Sequence, residues 1–238
     1  MFTGSYRMGD RVIKVSSIYG DVHEYCQDYR INDRSDADID VTISGSDIEY
    51  ERSRSDEPAL YRDQYLEELA VYRKIAEKMP FYDTFLMHGS VVAVDGAAYM
   101  FTARSGTGKS THAALWRKLL GDRAVMVNDN KPLVSVEDGM AVAYGTPYNG
   151  KHRLGSNISV PLKAVCVLER GDTNVITGIG RQQAYPVLLQ QIYRPADKKA
   201  FVRTLELIDE LTKSVKFYKL KCNMDISAAE TAYNAMKG

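Results

Sequence analysis

Apolar and polar residues alternate over residues 38–44, where Ile39, Val41 and Ile43 interleave with Asp38, Asp40 and Thr42, and residues 11–18 also read as a short strand. A period of two predicts strands with one buried face. Residues 24–31 read as a further short strand, which makes the first fifty residues β-rich. A polar break at 51–57 leads to Pro58, and then Tyr65, Leu69, Tyr72, Ala76 and Met79 recur at helical spacing as far as Pro80. That spacing predicts a long amphipathic helix whose tyrosines belong to the core. Two apolar runs, 85–94 and 97–102, flank Asp95-Gly96. This dipeptide adopts the positive φ angles of a two-residue hairpin, so the runs are expected to pair antiparallel. With Val94 facing Ala97, stepping outward sets His88 opposite Ala103.

Further along, the pattern predicts a helix over 110–120 ended by Gly121, a buried strand over 123–129 and a second hairpin at Asp138-Gly139. A glycine-rich polar loop, 145–157, precedes a strand at 163–168, helices at 182–193 and 198–215, and a last strand and helix. Ser227 and Glu230 read as a capping box opening the helix at 228–236. No repeat, low-complexity tract or linker divides the chain. The expected architecture is one α/β domain over 1–238, with mixed, largely antiparallel sheets and flanking helices. Its β-rich part is 1–50, its core 85–170 and its mostly helical part 180–238.

Composition narrows the function classes. A chain of 238 residues is long enough to bury roughly 70–75% of its unfolded surface without staples. With 45% hydrophobic and 26% charged residues, no signal-peptide pattern and no long apolar segment, it reads as a soluble cytoplasmic protein without a membrane partner. Lysine plus arginine and aspartate plus glutamate each number 31, so no basic field argues for nucleic acid. Cys26, Cys166 and Cys222 lack metal-ligand spacing and read as small core residues. Self-association stays open.

The chemistry gathers in Ala103-Arg104-Ser105-Gly106-Thr107-Gly108-Lys109-Ser110, which matches the phosphate-loop pattern with alanine in place of its first glycine. Gly106 and Gly108 allow the backbone to curl, so that the amides from Ser105 to Thr111 turn toward phosphate oxygens at a helix start. Lys109 would neutralise the β- and γ-phosphates, and the Ser110 hydroxyl would ligate Mg²⁺. Asp129 ends a buried strand, a position from which a carboxylate reaches a metal or a substrate hydroxyl, with Asn130 beside it. His88 is a third candidate through the hairpin register, as a donor to phosphate or substrate. His112 packs or caps. In Tyr148-Asn149-Gly150-Lys151-His152-Arg153 the cations Lys151 and Arg153 are candidates for closing over phosphates or an acidic substrate; a solvated basic hairpin is the alternative.

The stretch from His88-Gly89-Ser90 through Ser110 resembles the catalytic domain of bacterial HPr kinase/phosphorylase, whose fold also occurs in phosphoenolpyruvate carboxykinase. In those proteins the P-loop follows an antiparallel hairpin, as Asp95-Gly96 independently implies. The resemblance continues at Val127-Asn128-Asp129-Asn130, at Gly150-Lys151 and through residues 161–170. It implies a carboxykinase-like P-loop fold, ATP and Mg²⁺ as cofactors, and His88 near the phosphates. Asp129 matches the carboxylate that accepts the proton of the substrate hydroxyl. Asn130 stands where the family carries a second aspartate; its amide oxygen can ligate Mg²⁺ but brings no charge. The chain lacks the separate N-terminal domain of full-length HPr kinases and is more similar to compact HPr-kinase-related proteins, among them those that phosphorylate peptides in natural-product maturation. The expected function is a kinase moving a γ-phosphate to a hydroxyl of a peptide, a protein or a small molecule. The alternative is a nucleotide-binding regulatory module with weak or no catalysis, because of Asn130. A GTPase switch ranks last, because Pro132-Leu133 follows Asn130-Lys131 where the guanine signature needs Asn-Lys-x-Asp, and a carboxykinase reading shares the fold but expects a longer chain for its substrate domain.

Overall fold

The first hairpin forms where no turn was read. In the computed structural model, which describes residues 1–32 and 36–238, β1 (Phe2–Met8) and β2 (Arg11–Ser17) pair antiparallel. They join through Gly9 and Asp10, both at φ 59°, as a two-residue turn matched to strand twist requires. β3 (Ile39–Thr42) lies parallel to β2. The strand expected over 24–31 is replaced by α1 (Asp21–Tyr25) and a 3₁₀ turn, Gln27–Tyr29. Val22, Cys26 and Tyr29 are the buried positions there, a spacing of four and three that suits a helical face and not an alternating strand. α2 (Gly45–Ser53) was also not foreseen; the Ser44 amide donates to Asp47 Oδ2 at 2.9 Å and caps its start.

α3 (Asp63–Lys78) forms as expected, with a rotated face: Leu66, Ala70 and Ile75 are fully buried, whereas Tyr65 is 43% exposed. Tyr72 does enter the core, stacked on Tyr148 at 3.8 Å between ring centroids. Together α3 and the three-stranded sheet enclose one apolar cluster.

A second, nine-stranded sheet positions the site. The apolar run 85–94 is two strands, not one: β4 (Thr84–Leu86), which pairs elsewhere, and β5 (Ser90–Val94), which forms the expected hairpin with β6 (Ala97–Thr102) in register Val94–Ala97. The far edge of β5 pairs antiparallel with β7 (Ala124–Asn128). β8 (Leu133–Glu137) and β9 (Met140–Tyr144) form the hairpin at Asp138-Gly139, and β4 joins β8. β10 (Ser159–Arg170) begins antiparallel to β9 and continues parallel to β6 and to β12 (Lys216–Cys222). β6 therefore has one antiparallel and one parallel neighbour. β11 (Val175–Ile179), mostly exposed and with little apolar pattern to announce it, edges β12.

Alternation along β5 sorts the flanking helices. Val92 and Val94 pack with α4 (Lys109–Leu120) and α7 (Ile226–Met236), while Val91 and Ala93 pack with α5 (Arg181–Gln191) and α6 (Lys198–Ser214). Consecutive strand residues face opposite ways, so the two helix pairs cover opposite faces. The capping box at Ser227 and Glu230 is not formed. α7 starts at Ile226 with Asp225 as its N-cap, which puts Ser227 inside the first turn, where its hydroxyl accepts from Asn174 Nδ2 at 2.9 Å. Among the described residues no helix is long and apolar enough to cross a membrane.

Candidate functional site

The glycine loop of residues 103–110 joins β6 to α4 and turns the chain sharply. Gly106 and Gly108 sit at φ 74° and 118°, and since a Cβ would meet nothing within 4 Å at either, the demand for glycine is conformational. Among the described residues, only the Thr107 amide of those from Ser105 to Thr111 donates to a backbone carbonyl, Arg104 O at 3.3 Å. The others lie at or just before the positive end of α4 with no backbone acceptor among the described residues, a setting that favours an anion. Lys109 is 8% exposed. Its Nζ donates to Ala103 O at 2.9 Å and Arg104 O at 3.3 Å; burial lowers its pKa and the Asp129 charge acts in the opposite direction. Arg170, at the end of β10, donates to Gly106 O at 2.5 Å.

Asp129 follows β7, two strands away from β6. Its turn is built on Asn128, which is fully buried. Asn128 Oδ1 accepts from the amides of Asn130 and Lys131, both at 2.8 Å, and Nδ2 donates to Thr146 Oγ1 at 2.9 Å. Ser90, buried in β5, donates its hydroxyl to Asp129 Oδ1 at 2.6 Å. One carboxylate oxygen is thus held, and the other has no hydrogen-bond partner among the described residues.

His88 does not stand opposite Ala103, because the β5–β6 ladder stops at Ser90–Phe101. Its amide donates instead to Gln191 O at 2.6 Å, and Thr102 Oγ1 donates to its carbonyl at 2.9 Å. His88 nevertheless borders the glycine loop: a cavity of about 310 Å³ is lined by His88, Asp129, Asn130, Ser105, Gly106 and the run from Gly108 through Thr111. Burial, then Lys109 and Lys131, push the His88 pKa down to about 4. The neutral imidazole offers one donor and one acceptor.

Lys151 and Arg153 do not line this cavity. Arg153 lies over the Tyr25 ring at 4.5 Å and donates to Tyr25 O at 2.9 Å, so it is spent on α1; Lys151 is exposed. The loop approaches the site through Gly150, at φ 82°, whose Cβ position is 3.4 Å from Asp129 O. His112 packs, as expected: it is 3% exposed and its Nε2 accepts from Trp116 Nε1 at 3.1 Å. Ser90, Asn128 and Arg170 were not given roles from sequence. A lone hydroxyl inside an apolar strand and a lone amide at a strand end were available signals for the first two; Arg170 depends on the non-local β6–β10 pairing.

Among the described residues no three His, Cys, Asp or Glu side chains group around a point. A divalent cation here would rest on Ser110 Oγ, Asp129 and the Asn130 amide oxygen, completed by ligand oxygens and water. That sparse oxygen set suits Mg²⁺.

Residues 63–230 match the family model described as SynChlorMet cassette protein ScmC. The chain belongs to the ScmC family. The matched region runs from α3 into α7 and contains every residue of the cavity, while the three-stranded sheet lies outside it. No curated protein sequence matches this ScmC-family chain. Among solved structures, the HPr(Ser) kinase/phosphatase from Coxiella burnetii is similar at a TM-score of 0.35 and 8% identity, over 64% of this chain and 99% of that one. That likeness is too loose to add to the cavity's own geometry.

Proposed function

We propose that this ScmC-family protein is an ATP- and Mg²⁺-dependent kinase that transfers the γ-phosphate to a hydroxyl. The observation that carries the reading is that unpaired loop amides, the Lys109 ammonium and the Asp129 carboxylate share one cavity. Phosphoryl transfer asks a protein mainly for positioning and charge neutralisation, and these groups supply both. The amides and the start of α4 receive the phosphates. Lys109 exchanges two loop carbonyls for phosphate oxygens. Asp129, oriented by Ser90, accepts the proton of the attacking hydroxyl, and neutral His88 donates toward the transferring group or orients the acceptor. Mg²⁺, held by Ser110, Asp129 and Asn130, would neutralise charge on the phosphates when bound. The sequence resemblance to HPr kinases over residues 85–170 supports the same reading, and cellular ATP fits a cytoplasmic setting.

The test is transfer of label from γ-labelled ATP, with Mg²⁺, to a panel of serine-containing peptides and hydroxylated metabolites. Asp129→Ala is expected to lower transfer by roughly 10²–10⁴-fold, with ATP affinity changed only a few-fold. Equal transfer by the variant would refute the role of Asp129. ATP binding without turnover on any acceptor would favour the regulatory-module reading, in which case Asn130→Asp is expected to restore activity.

A further inference from the structure

His88 is a shared wall. On one side it lines the glycine-loop cavity; it also lines a second cleft of about 510 Å³. That cleft is bounded by Tyr50 and Arg54 from the end of α2, by Leu69 and Arg73 on α3, and by the segment Gln190 to Arg194, which ends α5 and runs beyond it. Lys131, two residues beyond Asp129, forms part of its wall. The assigned roles of the glycine loop, Asp129 and Asn130 make no use of it.

Its charges are unbalanced. Four cations line it, Arg54, Arg73, Lys131 and Arg194, against two carboxylates, Glu51 and Glu77. Both carboxylates are engaged: Glu51 accepts from Arg73, and Glu77 accepts from the Tyr193 hydroxyl at 2.6 Å and the Ala196 amide at 2.9 Å. Arg54, Lys131 and Arg194 have no carboxylate within ion-pair distance among the described residues. Arg54 rests on the Tyr50 ring and Arg194 on Leu189 O. Tyr50, Leu69 and Ile192 add apolar surface, and the Gln190 and Gln191 amides offer the donor and acceptor pairs that match peptide groups.

We propose that this cleft is the acceptor site and that it takes an acidic peptide segment, which presents its hydroxyl past His88 to the glycine-loop cavity. The proposal rests on the kinase reading. In the transfer, the hydroxyl oxygen bonds to the γ-phosphorus and the bond from that phosphorus to the β–γ bridging oxygen breaks. ADP leaves with the electron pair and Asp129 takes the hydroxyl proton.

The experiment uses two fluorescein-labelled nonapeptides with a central serine, one flanked by Asp and Glu and the other by Asn and Gln. Anisotropy without nucleotide is expected to show the acidic peptide binding about tenfold tighter, with the preference shrinking as salt rises. Arg54→Gln, Lys131→Gln and Arg194→Gln should each erode that preference several-fold. A fluorescent ATP analogue should bind the Arg54 and Arg194 variants as it binds wild type, which shows that they are folded. Equal affinity for the two peptides, or a preference that ignores all three substitutions, would overturn the proposal. So would displacement of the acidic peptide by malate at sub-millimolar concentration, because it would assign the site to a small hydroxy acid. Label transfer to both peptides alike would uphold the kinase reading and overturn the acidic acceptor. Charge-dependent binding with no transfer from bound ATP would overturn the kinase reading and the acceptor role together, leaving an anionic-peptide site.

Discussion

Replacing Asn128 by alanine tests whether the Asp129 turn is held from beneath. The wild-type amide is fully buried and ties three places together: the amides of Asn130 and Lys131 at 2.8 Å, Thr146 Oγ1 at 2.9 Å and Thr146 O at 3.3 Å. Their fates in the variant differ. The Lys131 amide keeps Tyr148 O at 3.2 Å, and Thr146 Oγ1 keeps its donation to Lys131 O at 2.9 Å. The Asn130 amide is left with no protein partner, although Asn130 is only half-buried and water can reach part of the gap. Two net hydrogen bonds lost and one donor partly orphaned come to about 3 kcal/mol. For a chain of this size that is a fall in Tm of roughly 6–12 °C. Thr146→Val removes only the hydroxyl end of the network and should cost about 1–2 kcal/mol. Circular-dichroism melts of both variants give the stabilities, and label transfer measured well below each Tm gives the effect on the site. Asn128→Ala should lower kcat more than Thr146→Val, because only the former frees the Asp129-Asn130 turn. A melt within about 2 °C of wild type, or unchanged kcat in the folded variant, would refute the reasoning.

Ser90→Ala deletes the 2.6 Å hydrogen bond to Asp129; a bond to a charged acceptor is worth about 1.5–3 kcal/mol, so steady-state kinetics should show kcat lowered about 10–100-fold with KM for ATP little changed. Acid should destabilise the fold through His112. Burial pushes its pKa from 6.5 down to about 4, so the unfolded chain binds the proton first. The stability associated with the neutral ring is complete above about pH 6.5 and is lost as pH falls toward 4, reaching about 3 kcal/mol. Melts from pH 7.5 to 4.5 should drop more steeply for wild type than for His112→Gln, and parallel curves would dismiss His112 as the cause.

The parts of this site that could be read from sequence are those whose geometry is written in adjacent residues. Asp95-Gly96 defines a hairpin by itself, since both residues must take positive φ, and they do so at 50° and 81°. Gly106 and Gly108 define the loop in the same way, and the burial of 124–128 leads directly to Asp129. Errors arose where a neighbour distant in sequence decides the outcome. The buried face of α3 is set by the three-stranded sheet laid against it, so Leu66 and not Tyr65 points inward. A strand is expected over residues 24–31, and packing of Val22, Cys26 and Tyr29 into one cluster selects a helical face instead.

The same division explains why His88 came near its expected place for a partly mistaken reason. The hairpin register was right up to Ser90–Phe101, and extrapolating it two more steps assumed that β5 continued. It does not, because Gln191 at the end of α5 captures the His88 amide and draws the chain out of the ladder toward β4. That departure opens the side of His88 away from β6. A histidine still in the ladder would face only the glycine loop, whereas the observed one borders both the loop cavity and the cationic cleft. The break in the strand is thus what connects the nucleotide candidate site with the acceptor candidate site, and it is made by a contact between residues about a hundred positions apart that no local pattern encodes.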